Sequence, residues 1–118
     1  MSKIQLPWPP AQSSPNGSQG NYQGKAAVGK KYKNECLLEC IEQNVPKMRG
    51  PIEATVTFCA PTARRYDLDN ALAKTKRGLD AVAYHIGVDD ADWNKITLKR
   101  GPEITRGAVF VTLKEYEE

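Results

Sequence analysis

An alternation of helical periodicity with short β-branched runs predicts an α+β domain: two main helices on a mixed sheet of about four strands. Two observations carry most of this. Leu68, Leu72, Thr75, Leu79, Val82 and Ile86 trace one stripe at a period of 3.6 residues, as one buried helix face requires. Ile52 to Cys59, IEATVTFC, alternates at period two, as a strand requires. The predicted order is β-α-β-α-β-β. At 118 residues, with 40% hydrophobic content, the chain suits a single domain over 1–118 with one modest core.

Lys3 to Leu6 reads as the first strand, halted by Pro7, Pro9 and Pro10, which lack backbone donors. From Ala11 to Gly24 the chain is rich in Ser, Gln, Asn and Gly without apolar periodicity, and is expected to be a flexible loop over about 11–24. The first helix is expected over Lys25 to Asn44. Ala26, Gly29, Lys33, Cys36, Leu37, Cys40 and Ile41 recur there at three- and four-residue spacing, before Pro46 and Gly50-Pro51. In the second strand Ala54, Val56 and Phe58 share a face, and neither face is strongly polar. That suggests an inner strand covered on both sides. The second helix starts near Asp67 or Leu68 and stops at Gly87. Lys95 to Arg100 and Gly107 to Lys114 alternate as the last two strands, with a turn between them.

Seventeen Lys and Arg against fourteen Asp and Glu leave a net charge of only +3, but the distribution is uneven. Lys25, Lys30, Lys31 and Lys33 occur without an intervening acid, while Arg64, Arg65, Lys74, Lys76 and Arg77 surround two aspartates. Such clusters suit phosphates of a nucleic acid, contacted without reading sequence; a solvated basic surface is the plainer alternative. Cys36, Cys40 and Cys59 lack metal-ligand spacing, and His85 is the one histidine. Buried free thiols are expected rather than zinc or disulfides, with His85 a cap or surface group. Met1 to Gln5 has no signal-peptide core and no run reaches a membrane span, which leads to the expectation of a soluble cytoplasmic protein.

Acid gathers in two places, Asp67 and Asp69 at the start of the second helix and Asp89, Asp90 and Asp92 after its end. At 100° per residue, Lys76 and Asp80 fall about 20° to either side of Asp69, on the border of the buried face. Lys74 and Arg77 are expected to point to solvent. Helix capping, an i,i+4 ion pair and turn residues would account for these acids with no chemistry at all. The functional alternative is a shared cation. Clustered carboxylates repel unless a cation holds them, and oxygen-only ligands suit Mg²⁺ or Mn²⁺. Trp8 and Trp93 are expected to be packing anchors, and Tyr22 in the polar loop is the stacking candidate for an unpaired base.

LPWPP (Leu6 to Pro10), DLDN (Asp67 to Asn70), KRGLDAVA (Lys76 to Ala83) and GVDDADW (Gly87 to Trp93) occur in that order. In these segments the chain resembles the RusA family of Holliday-junction resolvases, particularly its phage and prophage members. The likeness runs from Leu6 to about Leu113. Ala11 stands where Ser or Thr is common, and Ser14-Pro15-Asn16 is similar to an SPN element of phage relatives. The resemblance implies a homodimer that binds four-way DNA junctions and nicks opposing strands with Mg²⁺, in recombination and repair, inside a bacterial host. It carries the metal-binding aspartates onto Asp67, Asp69 and Asp90. The catalytic lysine falls on Lys76, with Lys74 the competing position. Flap or fork nucleases and a non-catalytic basic DNA-binding protein are the alternatives.

Overall fold

The computed structural model describes residues 1–10 and 22–117. Its elements are β1 (Ser2–Pro7), α1 (Tyr22–Glu42), β2 (Ile52–Cys59), α2 (Leu68–Ile86), β3 (Trp93–Arg100) and β4 (Ala108–Glu115). A short 3₁₀ turn at Asp90–Asp92 precedes β3. This is the α+β arrangement and the β-α-β-α-β-β order that the sequence periodicities predict. The expected loop of about 11–24 lies mostly outside the described residues, but its last three positions belong to α1, which starts three residues earlier than its periodicity suggested.

The sheet has the order β1-β4-β2-β3. β4 pairs antiparallel with β1 and β2, while β2 and β3 are parallel. A parallel pair needs a crossover, and α2 supplies it. The parallel pairing places the carboxyl ends of β2 and β3 together, with Phe58 opposite Arg100. The 60–67 segment leaves that end and enters α2. The 3₁₀ turn lies at the other end, where Trp93 is opposite Ile52.

One face of the sheet is covered, contrary to the expectation of cover on both sides of β2. Ile52, Ala54, Val56 and Phe58 are buried with Ile4, Leu6, Val109, Val111 and Leu113. Glu53, Thr55 and Thr57 alternate with them on the outer face and stay partly exposed. Threonine at these positions made the strand look uniformly apolar, because its methyl favours a strand while its hydroxyl tolerates water.

The two helices meet at a close approach. A Cβ on Gly78 would lie 2.9 Å from Cys36 Sγ and 2.9 Å from the Tyr32 ring, so glycine lets α1 and α2 come together. Gly29, Tyr32, Cys36 and Cys40 form the buried stripe of α1. The sequence reading gave Lys33 and Ile41 places in that stripe; Lys33 is half-buried and Ile41 is 54% exposed. Tyr32 takes the inner position because its hydroxyl donates to Pro7 O at 2.7 Å, satisfying the polar tip of a buried ring. In α2 the buried set is Ala71, Thr75, Gly78, Leu79, Ala81, Val82, Ala83 and Ile86, whereas Leu68 and Leu72 are partly buried at its edge. Gly87 ends the helix in the left-handed region at φ 82°, its N–H donating to Ala83 O. No helix among the described residues is long and apolar enough to cross a membrane.

Candidate functional site

Asp67 and Asp69 stand at the amino end of α2. Asp67 occupies the position before the first helical residue, in extended conformation, and its side chain makes no capping hydrogen bond. Capping therefore does not account for its carboxylate. Asp69, in the first turn, accepts from Asn70 N at 3.0 Å and faces the favourable end of the helix dipole. Both residues are exposed.

The second group of acids is at the far end of α2. Asp89 accepts from Ala91 N at 2.9 Å and shapes the 3₁₀ turn, as a turn residue should. Asp90 projects back to the helix, where Lys76 Nζ donates both to it and to Asp80 Oδ1, the latter at 2.8 Å. Lys76 is thus more than an i,i+4 surface pair: it ties the turn after α2 to the middle of the helix. The two acceptors, Asp80 first and Asp90 second, raise the Lys76 pKa and keep it an ammonium. The Lys76 hydrogen bond, foremost among the causes, holds Asp90 below its usual carboxylate range.

The structure does not gather Asp67, Asp69 and Asp90 within one chain. Seven residues of helix separate Asp69 from Lys76, about 10 Å of rise, and the Lys76 ammonium leans further away toward Asp80. Among the described residues no three His, Cys, Asp or Glu side chains are placed to share a metal ion. The acids thus stand as two groups, Asp67 and Asp69 at the amino end of α2 after Arg64 and Arg65, and Asp80 and Asp90 around Lys76.

The predicted phosphate contacts are spread over three surfaces. Arg64 and Arg65 are exposed on the segment that enters α2. Lys30 and Lys31 are exposed on α1, with Lys33 half-buried. One of the two outward-pointing expectations needs correction. Lys74 is half-buried and engaged in an interaction of its own. Arg77, although exposed, lies across α1, where its Nε would be 3.4 Å from a Cβ at Gly29. The close crossing of the helices is what brings α1 beneath the Arg77 side chain. Tyr22 belongs to the first turn of α1 rather than a polar loop, and the side chains of Tyr22 and Lys25 lie outside the described residues.

A further basic residue, Arg100, was not singled out by spacing or composition. It ends β3, donates from Nη2 to Tyr66 O at 2.6 Å, and places its guanidinium 5.3 Å above the Tyr66 ring. Trp8 meets Tyr66 edge-on at 5.9 Å and Phe58 at 6.4 Å, so the first tryptophan packs. Trp93 is buried and donates from Nε1 to Val88 O at 3.2 Å. A Tyr immediately before the DLDN motif was visible in the sequence, but its partner 34 residues later was not.

Other groups fall outside the chemistry. His85 is half-buried and its Nε2 donates to Val45 O at 2.6 Å, since a carbonyl can only accept. Lys47 Nζ reaches the His85 carbonyl at the carboxyl end of α2. The three cysteines are buried free thiols. Burial pushes Cys36 up to about 12 and Cys40 up to about 11, so neither is a ready thiolate.

No family model matches the chain, and no curated protein matches it.

Proposed function

We propose that this protein is a divalent-metal-dependent, structure-selective endodeoxyribonuclease of the RusA type, resolving Holliday junctions by paired phosphodiester cleavage in recombination and repair. The observation that carries this reading is the Lys76 bridge to Asp90. It joins the KRGLDAVA helix to the GVDDADW turn, two of the four segments on which the resemblance rests, through an ammonium held protonated beside acid.

The residues fit a hard cation, Mg²⁺ or Mn²⁺, by donor chemistry. Asp67 and Asp69 offer exposed carboxylate oxygens, and the Asp67 side chain is not used as a cap. Mg²⁺ commonly takes one or two protein carboxylates and fills its remaining positions with water and phosphate, so a complete protein cage is not required. When bound, such a cation supplies Lewis-acid polarisation of a phosphoryl oxygen. The chain's own groups do the rest. Lys76, kept cationic, stabilises negative charge developing on a phosphate or leaving oxygen. Asp90 orients that ammonium. Arg64, Arg65, Lys30, Lys31 and Lys33 hold neighbouring phosphates that the acids would otherwise repel.

A homodimer belongs to this reading for a geometric reason. A single chain keeps Asp90 two helical turns or more from Asp69, whereas a two-fold dimer can set Asp90 of a second copy opposite Asp67 and Asp69. Two such sites would face two symmetry-related strands of a junction. The expected setting is the cytoplasm of a bacterial host, with the protein encoded by a phage or prophage.

Labelled four-way, flap, fork and linear DNA, incubated with Mg²⁺ or with EDTA, tests the proposal. Symmetric nicks in the four-way junction that require Mg²⁺ are the expected result. Asp69→Asn should abolish nicking and leave junction binding intact or stronger. Salt-sensitive DNA binding without Mg²⁺-dependent nicking would instead favour a non-catalytic DNA-binding protein. Preferential cutting of flaps or forks would keep the chemistry and change the target.

A further inference from the structure

We infer that the cleft at the carboxyl ends of β2 and β3 is a phosphodiester-binding subsite for the substrate strand, anchored by Arg100. The inference rests on the proposed function only in naming DNA as the ligand. The cleft has a volume of about 500 Å³, within the ~300–1,000 Å³ range of small-ligand sites. Arg64, Arg65 and Arg100 line it against one acid, Glu103, together with Thr62 and Tyr66. Three arginines on the wall of one concavity favour a polyanion, and the planar fork of a guanidinium matches phosphate oxygens in pairs.

Arg100 is fixed before any ligand arrives. Its bond to Tyr66 O uses one of five donors, and its guanidinium carbon lies over the Tyr66 ring. Tyr66 is itself held by its hydroxyl donating to Phe58 O at 3.3 Å and by the edge of Trp8. An anchored arginine loses less side-chain entropy on binding than a free surface lysine. The stack also decides what the cleft reads. Arg100 covers one face of Tyr66 and Trp8 abuts its ring, so the aromatic group supports a cation instead of offering a platform to a base. Recognition is therefore of backbone and independent of sequence.

Position gives the subsite its use. Open sheets bind ligands beyond the carboxyl ends of parallel strands, and this cleft occupies that place on the β2–β3 pair. Its wall, residues 60–66, continues directly into Asp67. A phosphate held by Arg64, Arg65 and Arg100 thus lies on the strand next to the one presented to Asp67 and Asp69.

The test is an amide NMR titration with 5′-phosphorylated dithymidine, pTpT, in EDTA. Shifts should concentrate on Thr62 to Tyr66 and on Gly101, and pApA should bind within about twofold of pTpT. Arg100→Ala should weaken pTpT about tenfold or more, and Arg100→Lys by less, since charge survives without the fork. Lys99→Ala removes the same charge one residue away, on the outer face opposite Thr57, and should change affinity by less than about twofold. Thymidine should not bind, and inorganic phosphate should bind at least about tenfold more weakly than pTpT. Equal losses in Arg100→Ala and Lys99→Ala, or inorganic phosphate binding as tightly as pTpT, would overturn the subsite. Should Arg100→Ala fail to fold, the exposed pair Arg64→Ala/Arg65→Ala carries the same tenfold expectation. Wild-type protein that binds pTpT here but nicks no junction would sink the nuclease reading alone. Junction cleavage without pTpT shifts in the cleft would sink the subsite alone.

Discussion

Mixing two inactive variants measures whether the proposed site is shared between subunits. Asp69→Asn removes a carboxylate from the amino end of α2, and Asp90→Asn removes the charge of one of the two carboxylates that accept from Lys76. Within one chain Asp69 and Lys76 are about 10 Å apart along the helix, and Asp90 sits beyond that on the Asp80 side. Carboxylates that coordinate a common ion lie within a few ångströms of each other, so a site using all three acids must draw on two copies. Each variant alone should then be inactive. In an equal mixture with free exchange, about half of the dimers are mixed and each of these has one intact site out of two. Nicking should therefore recover to about a quarter of the wild-type rate. The assay is the first-order rate of nicking on a labelled four-way junction with Mg²⁺, after subunit exchange, against each variant alone. No recovery from the mixture, despite demonstrated exchange, would refute the shared site. Full activity of Asp90→Asn alone would remove Asp90 from the chemistry.

Three further outcomes follow from the fold. Lys76→Gln should cost less than about 1 kcal/mol at pH 7, because the bridge is substantially exposed and screened. The sign with pH is defined: the lowered Asp90 pKa makes its share vanish as pH falls below 3.8, and the raised Lys76 pKa makes its share vanish as pH rises past 10.5. Denaturant midpoints of wild type and variant should accordingly differ at pH 7 and converge at both extremes; a gap that widens in acid would contradict the pairing. Tyr32→Phe loses the hydrogen bond to Pro7 O and should destabilise by about 1 kcal/mol, lowering the melting temperature by about 4 °C in calorimetry. Cys36, Cys40 and Cys59 should resist a thiol reagent at pH 8 in the folded protein and all react in denaturant, since burial raises each thiol. Rapid modification of the native protein would show that the helix interface opens easily.

Much of the framework was legible because it depends on local periodicity. The 3.6-residue stripe of α2, its glycine stop and the alternation of β2 are properties of neighbouring residues, and each element formed where those patterns place it. The phase of α1 was less legible. Tyr32 and Lys33 are adjacent, and what turned the tyrosine inward was a carbonyl 25 residues away and the absence of a side chain at Gly78. Cover on one face of β2 was equally hidden, because threonine satisfies a strand in either environment.

The sequence by itself determined the succession of helices and strands and the location of the acidic and basic residues along them, since backbone propensity and hydrophobic period act over a few residues. Tertiary structure alone decided which charges meet. It set Asp90 against Lys76 rather than beside Asp69, and it brought Arg100 over Tyr66 at the end of the parallel pair. Those encounters depend on strand order and on the length of a helix. A rise of about 1.5 Å per residue converts two motifs adjacent in meaning into groups at opposite ends of the sheet.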